Sequence, residues 1–209
     1  GHLLCIDLLE AGYDTFAIGR NQDVLSDLCG FGCKIFCCDL ETPNIVSSIS
    51  DFCASPDVLI NNAGVFPLKS LGQSTVEDFD ECFNINVRIP FLLMQEYIPK
   101  MRNKGFGRVI NVLSSSAYAG SPDSGIYCAS KHALLGLTRS AFLENKESGV
   151  VISSVSPGSM QTAMGKTDTR QDFSTFIDPK DVSRLVIHLL EMGSGTVVDE
   201  VRLNRRIIR

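Results

Sequence analysis

Residues 107–139, GRVINVLSSSAYAGSPDSGIYCASKHALLGLTR, change character twice. The stretch opens on an apolar, β-branched run, 107–113, which reads as a buried strand. It stops at Ser114, Ser115 and Ser116, crosses a turn-rich segment, and enters a helical pattern carried by Ala129, Ala133, Leu134 and Leu137. On that helix Tyr127 and Lys131 stand four residues apart and share a face at about 5–6 Å. Taken alone, such a pair is ordinary helix surface. Just after a strand that ends in serines, it is also a phenol set beside an ammonium.

The same alternation runs along the whole chain. Strands are expected near 15–19, 33–37, 57–61, 107–113, 150–156 and 196–203. Helices are expected near 2–11, 21–29, 44–53, 75–102, 125–146 and 179–192, the last with Asp178 as N-cap and Pro179 in the first helical position. Pro90 and Pro99 should split or kink the long 75–102 span. Strands alternating with helices call for an α/β fold, a doubly wound parallel sheet covered on both faces, in one domain over 1–209. Ligands of such sheets bind beyond the carboxyl ends of the strands. The polar residues that look chemical fall there: Arg20, Asp39, the run Asn61–Gly64, Ser114–Ser116, and PGSMQT from Pro157 to Thr162. Each is ordinary turn chemistry by itself; five at one edge are not.

Composition narrows the field. A net charge of −5 offers no basic field for a nucleic-acid backbone, and 44% hydrophobic with 21% charged residues suits a globular chain. The basic tail, VRLNRRIIR, reads as a solvated strand edge. No apolar run reaches the ~18–20 residues of a membrane span. Eight cysteines sit mostly within apolar runs, match no zinc spacing, and are expected to be small buried hydrophobes in a reducing compartment, the cytoplasm. Gly1 leads straight into a helix pattern, which suggests sequence ahead of it.

Together these residues resemble the short-chain dehydrogenases/reductases over nearly the whole chain. Asn-Asn-Ala-Gly at 61–64 resembles that family's strand-end signature, and Tyr127-Cys-Ala-Ser-Lys131 its Tyr-x-x-x-Lys. Counting thirteen residues back from Tyr127 gives Ser114 as the catalytic serine. FNINVRIPF gives Asn86 as the fourth catalytic member, and Pro157 to Thr162 resembles the loop that packs on the nicotinamide. The resemblance implies a Rossmann-like fold, a nicotinamide cofactor, and a homodimer or homotetramer assembled through the helices near 75–102 and 125–146. Its cofactor residues fall on Gly1, Arg20, Asp39, Leu40, Asn62, Ala63, Gly64, Tyr127, Lys131, Pro157, Gly158, Met160 and Thr162.

Gly1 stands where the last glycine of the family's phosphate loop would be, eleven residues before Gly12. The family's central first strand is therefore missing from this sequence, and its neighbours should be left with unpaired backbone. Gly19 takes the place of the acid that would bond a ribose 2′-hydroxyl, and Arg20 follows it. A guanidinium suits a 2′-phosphate, so NADP(H) is expected over NAD(H). The alternative is an exposed arginine paired with Asp23. In the implied mechanism Lys131 lowers the pKa of Tyr127, Tyr127 trades a proton with a carbonyl oxygen, Ser114 holds that oxygen, and Asn86 holds a water that relays protons to Lys131. Two rivals remain: an NAD-linked alcohol dehydrogenase, and a non-catalytic relative that kept the fold. The stretch from Ala163 to Ile177 is short for a substrate lid, which leaves either a small open pocket or room for a bulky substrate.

Overall fold

The computed structural model describes residues 1–193 and 195–206. In chain order the elements are α1 (His2–Glu10), β1 (Phe16–Gly19), α2 (Gln22–Gly30), β2 (Lys34–Cys37), α3 (Ile45–Phe52), β3 (Val58–Asn61) and α4 (Val76–Phe83). A π-helical turn (Asn84–Arg88) joins α4 to α5 (Ile89–Lys104). Then follow β4 (Gly107–Val112), α6 (Gly125–Asn145), β5 (Val150–Pro157), α7 (Pro179–Glu191) and β6 (Glu200–Leu203).

All pairing between these strands is parallel, but it does not form one sheet. β1 and β2 make a pair of their own, and β3-β4-β5-β6 a separate sheet of four. The two have no hydrogen-bonded edge in common, so the break falls where the resemblance leaves a strand out. Packing bridges it. On one face α3 and α5 bring Ile49, Leu93, Met94 and Met101 against Val109 and Ile152 of the larger sheet, with Ile18 and Phe36 of the smaller pair joined to the same cluster. On the other face Leu8 of α1 packs with Val182, Val186 and Leu190 of α7 on Ile110 and Val155, while Cys5, Ile6 and Leu9 of the same helix reach Ala17 and Ile35. Helix α1 thus touches both sheets.

Several expectations need correction. The long helix does not break at a proline: Pro99 lies inside α5, and the interruption is the π-helical turn just before Pro90. Such turns add one residue to the helical ring and re-aim the side chains around it. The strand expected over 196–203 forms only from Glu200, where it meets Ser154; upstream, the Val198 carbonyl accepts from the Ser153 hydroxyl and the Asp199 carbonyl from the Ser154 amide and hydroxyl, and Ser194 lies outside the described residues. The cysteines are all free, but only Cys33, Cys82 and Cys128 are fully buried; Cys29 and Cys37 are exposed. Among the described residues no helix is long and apolar enough to cross a membrane.

The start of α4 is held by a reciprocal cap. Thr75 Oγ1 accepts from the Asp78 amide at 3.2 Å, and Asp78 Oδ2 accepts from the Thr75 amide at 3.0 Å. Each half satisfies a donor the helix cannot use itself. Thr75→Ala is expected to cost about 1 kcal/mol, read as a drop in Tm of roughly 2–4 °C for a chain this long. An unchanged melting curve would show that the cap is idle.

Candidate active site

Elements of the larger sheet and α6 converge through buried polar links. Asn61, at the end of β3, donates to Asn111 Oδ1 at 2.8 Å; Asn111 donates to Thr138 Oγ1 at 2.8 Å; Thr138 donates to the Leu134 carbonyl at 2.7 Å. All three side chains are buried, so this chain of bonds fixes β3, β4 and α6 relative to one another. The family resemblance reached Asn61, in the signature at 61–64, but not Asn111 or Thr138, although the signal was visible. Asn61 and Asn111 are polar residues inside apolar strands, and such residues need a partner.

Past β3 the backbone of 62–65 runs over the π-helical turn. Asn86 is fully buried there: Oδ1 accepts from the Val65 amide at 2.9 Å, and Nδ2 faces the Val65 carbonyl at 3.0 Å, Ser130 Oγ at 3.0 Å and Cys82 Sγ at 3.3 Å. The side-chain amide is therefore fully committed to protein. Through these bonds it pins the 62–65 segment. Gly64 shows how close that segment lies. A Cβ there would sit 3.2 Å from Asn86 Oδ1 and 3.7 Å from Lys131 Nζ.

Helix α6 places Tyr127 and Lys131 as the spacing predicts. Both are buried, and the Tyr127 ring meets Phe66 edge-on, with centroids 4.7 Å apart and planes at 73°. Lys131 Nζ donates to the Val112 carbonyl at 3.1 Å and lies 5.7 Å from the centre of the Tyr127 ring. The expected lowering of the phenol pKa is not what the structure gives. Burial pushes the Tyr127 phenol up to about 12, against a partial offset from its hydrogen bond with the Ser114 hydroxyl. Burial pushes the Lys131 ammonium down to about 8. Desolvation disfavours the charged form of each group and is the largest cause of both shifts. Ser114 Oγ also accepts from the Ser116 amide at 3.1 Å, which fixes its rotamer.

Ser114, Tyr127, Pro157, Gly158, Met160 and Thr162 line one cavity of about 350 Å³, so six of the expected site residues are brought together. Residues of the 163–177 stretch form another part of its wall, among them Met164, Asp168 and Phe176. A second group lies elsewhere. Gly1 abuts Asn62, with a Cβ on Gly1 only 2.9 Å from Asn62 Nδ2, and Ala63 is exposed beside them. Arg20 and Asp39 lie beyond β1 and β2, on the smaller sheet. Both are exposed, and among the described residues Arg20 makes no ion pair with Asp23. Asp39 Oδ1 accepts from the Glu41 amide at 3.0 Å, closing its own turn, while Leu40 packs into the core. His132 is turned away from the cavity side, its Nδ1 2.8 Å from the Cys128 carbonyl of its own helix. The sequence reading missed Phe66, Arg202 and Arg205, all of which line the cavity. The basic tail is therefore no plain solvated edge; its residues 207–209 lie outside the described ones.

Parallel strands with helices on both faces and a polar strand edge next to a buried tyrosine–lysine pair define a Rossmann-like α/β protein. The model of the short chain dehydrogenase family matches residues 1–172. The chain belongs to the short-chain dehydrogenase/reductase family. It is 31% identical over 206 residues to a 3-oxoacyl-acyl-carrier-protein reductase of Rickettsia prowazekii (strain Madrid E), covering 92% of this chain and 85% of that protein. It is 35% identical over 124 residues to a D-beta-hydroxybutyrate dehydrogenase of Rhizobium meliloti (strain 1021), covering 59% of this chain and about half, 48%, of that one. Among solved structures, a metagenomic short-chain oxidoreductase in complex with NADP superposes with a TM-score of 0.82 at 25% identity, covering 99% of this chain and 92% of the other.

Proposed function

We propose that this chain is an NADP(H)-dependent reductase of a carbonyl substrate, with Tyr127 as the proton donor. The observation that carries the reading is the cavity itself, where the Tyr127 phenol and the Ser114 hydroxyl share one small chamber with Pro157, Gly158 and Thr162. Lys131 supports a cofactor next to it. An ammonium has three donors, and among the described residues this one donates a single hydrogen bond, to Val112, beside a glycine that leaves the approach open. A buried cation with spare donors fits an acceptor-rich group such as a ribose diol. Lys131, with Gly1, Asn62, Ala63, Gly64, Met160 and Thr162, would hold the nicotinamide half of the cofactor. Arg20, Asp39 and Leu40 would hold the adenosine half. When bound, the reduced nicotinamide supplies the hydride.

The protein's own residues do the rest. With its pKa pushed up to about 12, the Tyr127 phenol stays protonated at neutral pH, the form needed to give a proton to a carbonyl oxygen. Ser114, held by the Ser116 amide, can donate to the same oxygen as negative charge builds there. Asn86 is a positioning residue: it fixes Val65, between Gly64 and Phe66, whose ring meets Tyr127 edge-on. Oxidation of the corresponding alcohol needs the phenolate, so it should speed up as the pH is raised. A screen of ketones with NADPH, followed at the nicotinamide absorbance, tests the reading; no turnover of any carbonyl in either direction would count against it.

The choice of NADP(H) rests on Arg20, exposed and without an ionic partner among the described residues. A guanidinium free of internal partners can take a phosphate in two-pronged fashion. Arg20→Ala is expected to lower the ratio of NADPH to NADH affinity by roughly 10–100-fold. An unaltered ratio would move the selecting group elsewhere. Exposed Phe79, Phe91 and Leu143 on α4, α5 and α6 are the reason to include a dimer or tetramer in the reading; light scattering measures it.

A further inference from the structure

The cavity is lined by four charged side chains: Asp168, Arg170, Arg202 and Arg205. Two of them cancel. Asp168 Oδ1 accepts from Arg170 Nε at 2.7 Å, and Arg170 reaches Asp123 as well, at 2.6 Å. The other two come from β6 and the residues after it. The acid nearest to them in sequence that could neutralise them, Glu200, is committed to Arg139 and to the Tyr118 hydroxyl. Arg202 is exposed, lies 4.1 Å over the Tyr118 ring, and still feels the Glu200 charge. Among the described residues the hydrogen-bond partners of Arg205 are neutral. Its Nη2 donates to Gln171 Oε1 at 2.6 Å and its Nη1 to Thr175 Oγ1 at 3.4 Å, while the guanidinium lies 5.0 Å over the buried Phe176 ring. Among the described residues it forms no ion pair. It is a half-buried cation, with its plane fixed by an aromatic face and two neutral acceptors, opening into the chamber that holds Tyr127.

A guanidinium with five N–H donors, two of them used, presents a ready fork to a planar anion. We propose that the substrate is a short oxo acid, or the matching hydroxy acid, whose carboxylate is bound by Arg205 while its carbonyl lies at Tyr127 and Ser114. This rests on the oxidoreductase reading above and adds the substrate class. The size of the chamber supports a short acid, because about 350 Å³ is near the lower limit for small-molecule sites. Arg202 adds charge at the rim, and the fork of Arg205 supplies the specificity.

The test compares 3-oxobutanoate, 4-oxopentanoate and 5-oxohexanoate with their methyl esters, which keep the ketone and lose the charge. With NADPH, the wild type is expected to prefer the best acid to its ester by roughly 30–100-fold in kcat/KM. Arg205→Met is expected to bring that ratio to within a few-fold of one, and Arg205→Lys to recover only part of it, since an ammonium keeps the charge without the fork. Equal turnover of acid and ester by the wild type overturns the inference and leaves the oxidoreductase reading standing. So does an acid preference that survives Arg205→Met, or a preference for a phosphorylated ketone over every acid. Calorimetric titration of the same acids separates the remaining cases. Acid binding that depends on Arg205, without turnover of any ketone, supports the anion site and counts against the reductase. Neither binding nor turnover overturns both.

Discussion

Tyr127→Phe is expected to lower kcat for carbonyl reduction by about 10³-fold or more, while the dissociation constant for NADPH stays within about twofold. Phenylalanine keeps the ring, and with it the edge-on contact to Phe66 at 4.7 Å, so the helix start and the cavity wall should hold their shape. What is lost is one hydroxyl, the group assigned to give up the proton. The pH dependence follows from the raised pKa. Below about 12 the phenol carries its proton, so the donor is fully populated for reduction across the neutral range. The reverse oxidation draws on the small phenolate fraction, and its rate should climb with pH through the alkaline range. Steady-state rates in both directions from pH 6 to 10 measure this. If the Tyr127→Phe variant kept a tenth of wild-type turnover, Tyr127 would be removed from the chemistry.

Lys131→Met should abolish activity and yet stabilise the fold at pH 7. Lys131 is 4% exposed, and burial pushes its pKa from 10.5 down to about 8. At pH 7 both the folded and the unfolded chain carry the ammonium, so the folded state bears the whole desolvation cost, about 3 kcal/mol. Between pH 8 and 10.5 the folded chain sheds a proton that the unfolded chain keeps. Stability therefore rises with pH in that window, and above it the cost is gone. Methionine has similar length and no charge to bury. Removing the ammonium leaves the Val112 carbonyl without this donor, which takes back about 1–2 kcal/mol. The net expectation is a gain of about 1–2 kcal/mol at pH 7, with most of the cost relieved and the gain erased near pH 10. Urea melts of both proteins at the two pH values decide it. A variant less stable at pH 7 would mean that Lys131 is held at no net cost. Active sites commonly keep such unfavourable groups because function needs them.

The sequence made the alternation of strands and helices legible because each element carries its own period and its own stops. Asp178 and Pro179 mark the start of α7, and the Asp178 carboxylate does accept from the Lys180 amide at 2.9 Å. The spacing of Tyr127 and Lys131 was equally readable, since one helical turn leaves little freedom, while Ser114 was singled out among its neighbours only by the family's thirteen-residue count. Three things were not. The π-helical turn at 84–88 is an extra residue in the helical ring, and nothing in the apolar period of NINVR signals it. The titration of Tyr127 and Lys131 depends on how deeply the fold buries them, which a four-residue spacing cannot tell. The role of Arg205 depends on Gln171, Thr175 and Phe176, some thirty residues earlier in the chain, and on the cavity they close.

The most direct measurement is a titration of NADPH into the purified chain, followed by nicotinamide fluorescence, with a ketone panel added to the same saturated sample. The expected result is a change in fluorescence that saturates, at lower concentration for NADPH than for NADH, and a loss of that signal when an accepted carbonyl is added. Fluorescence that does not respond to either nucleotide at millimolar concentration would contradict it.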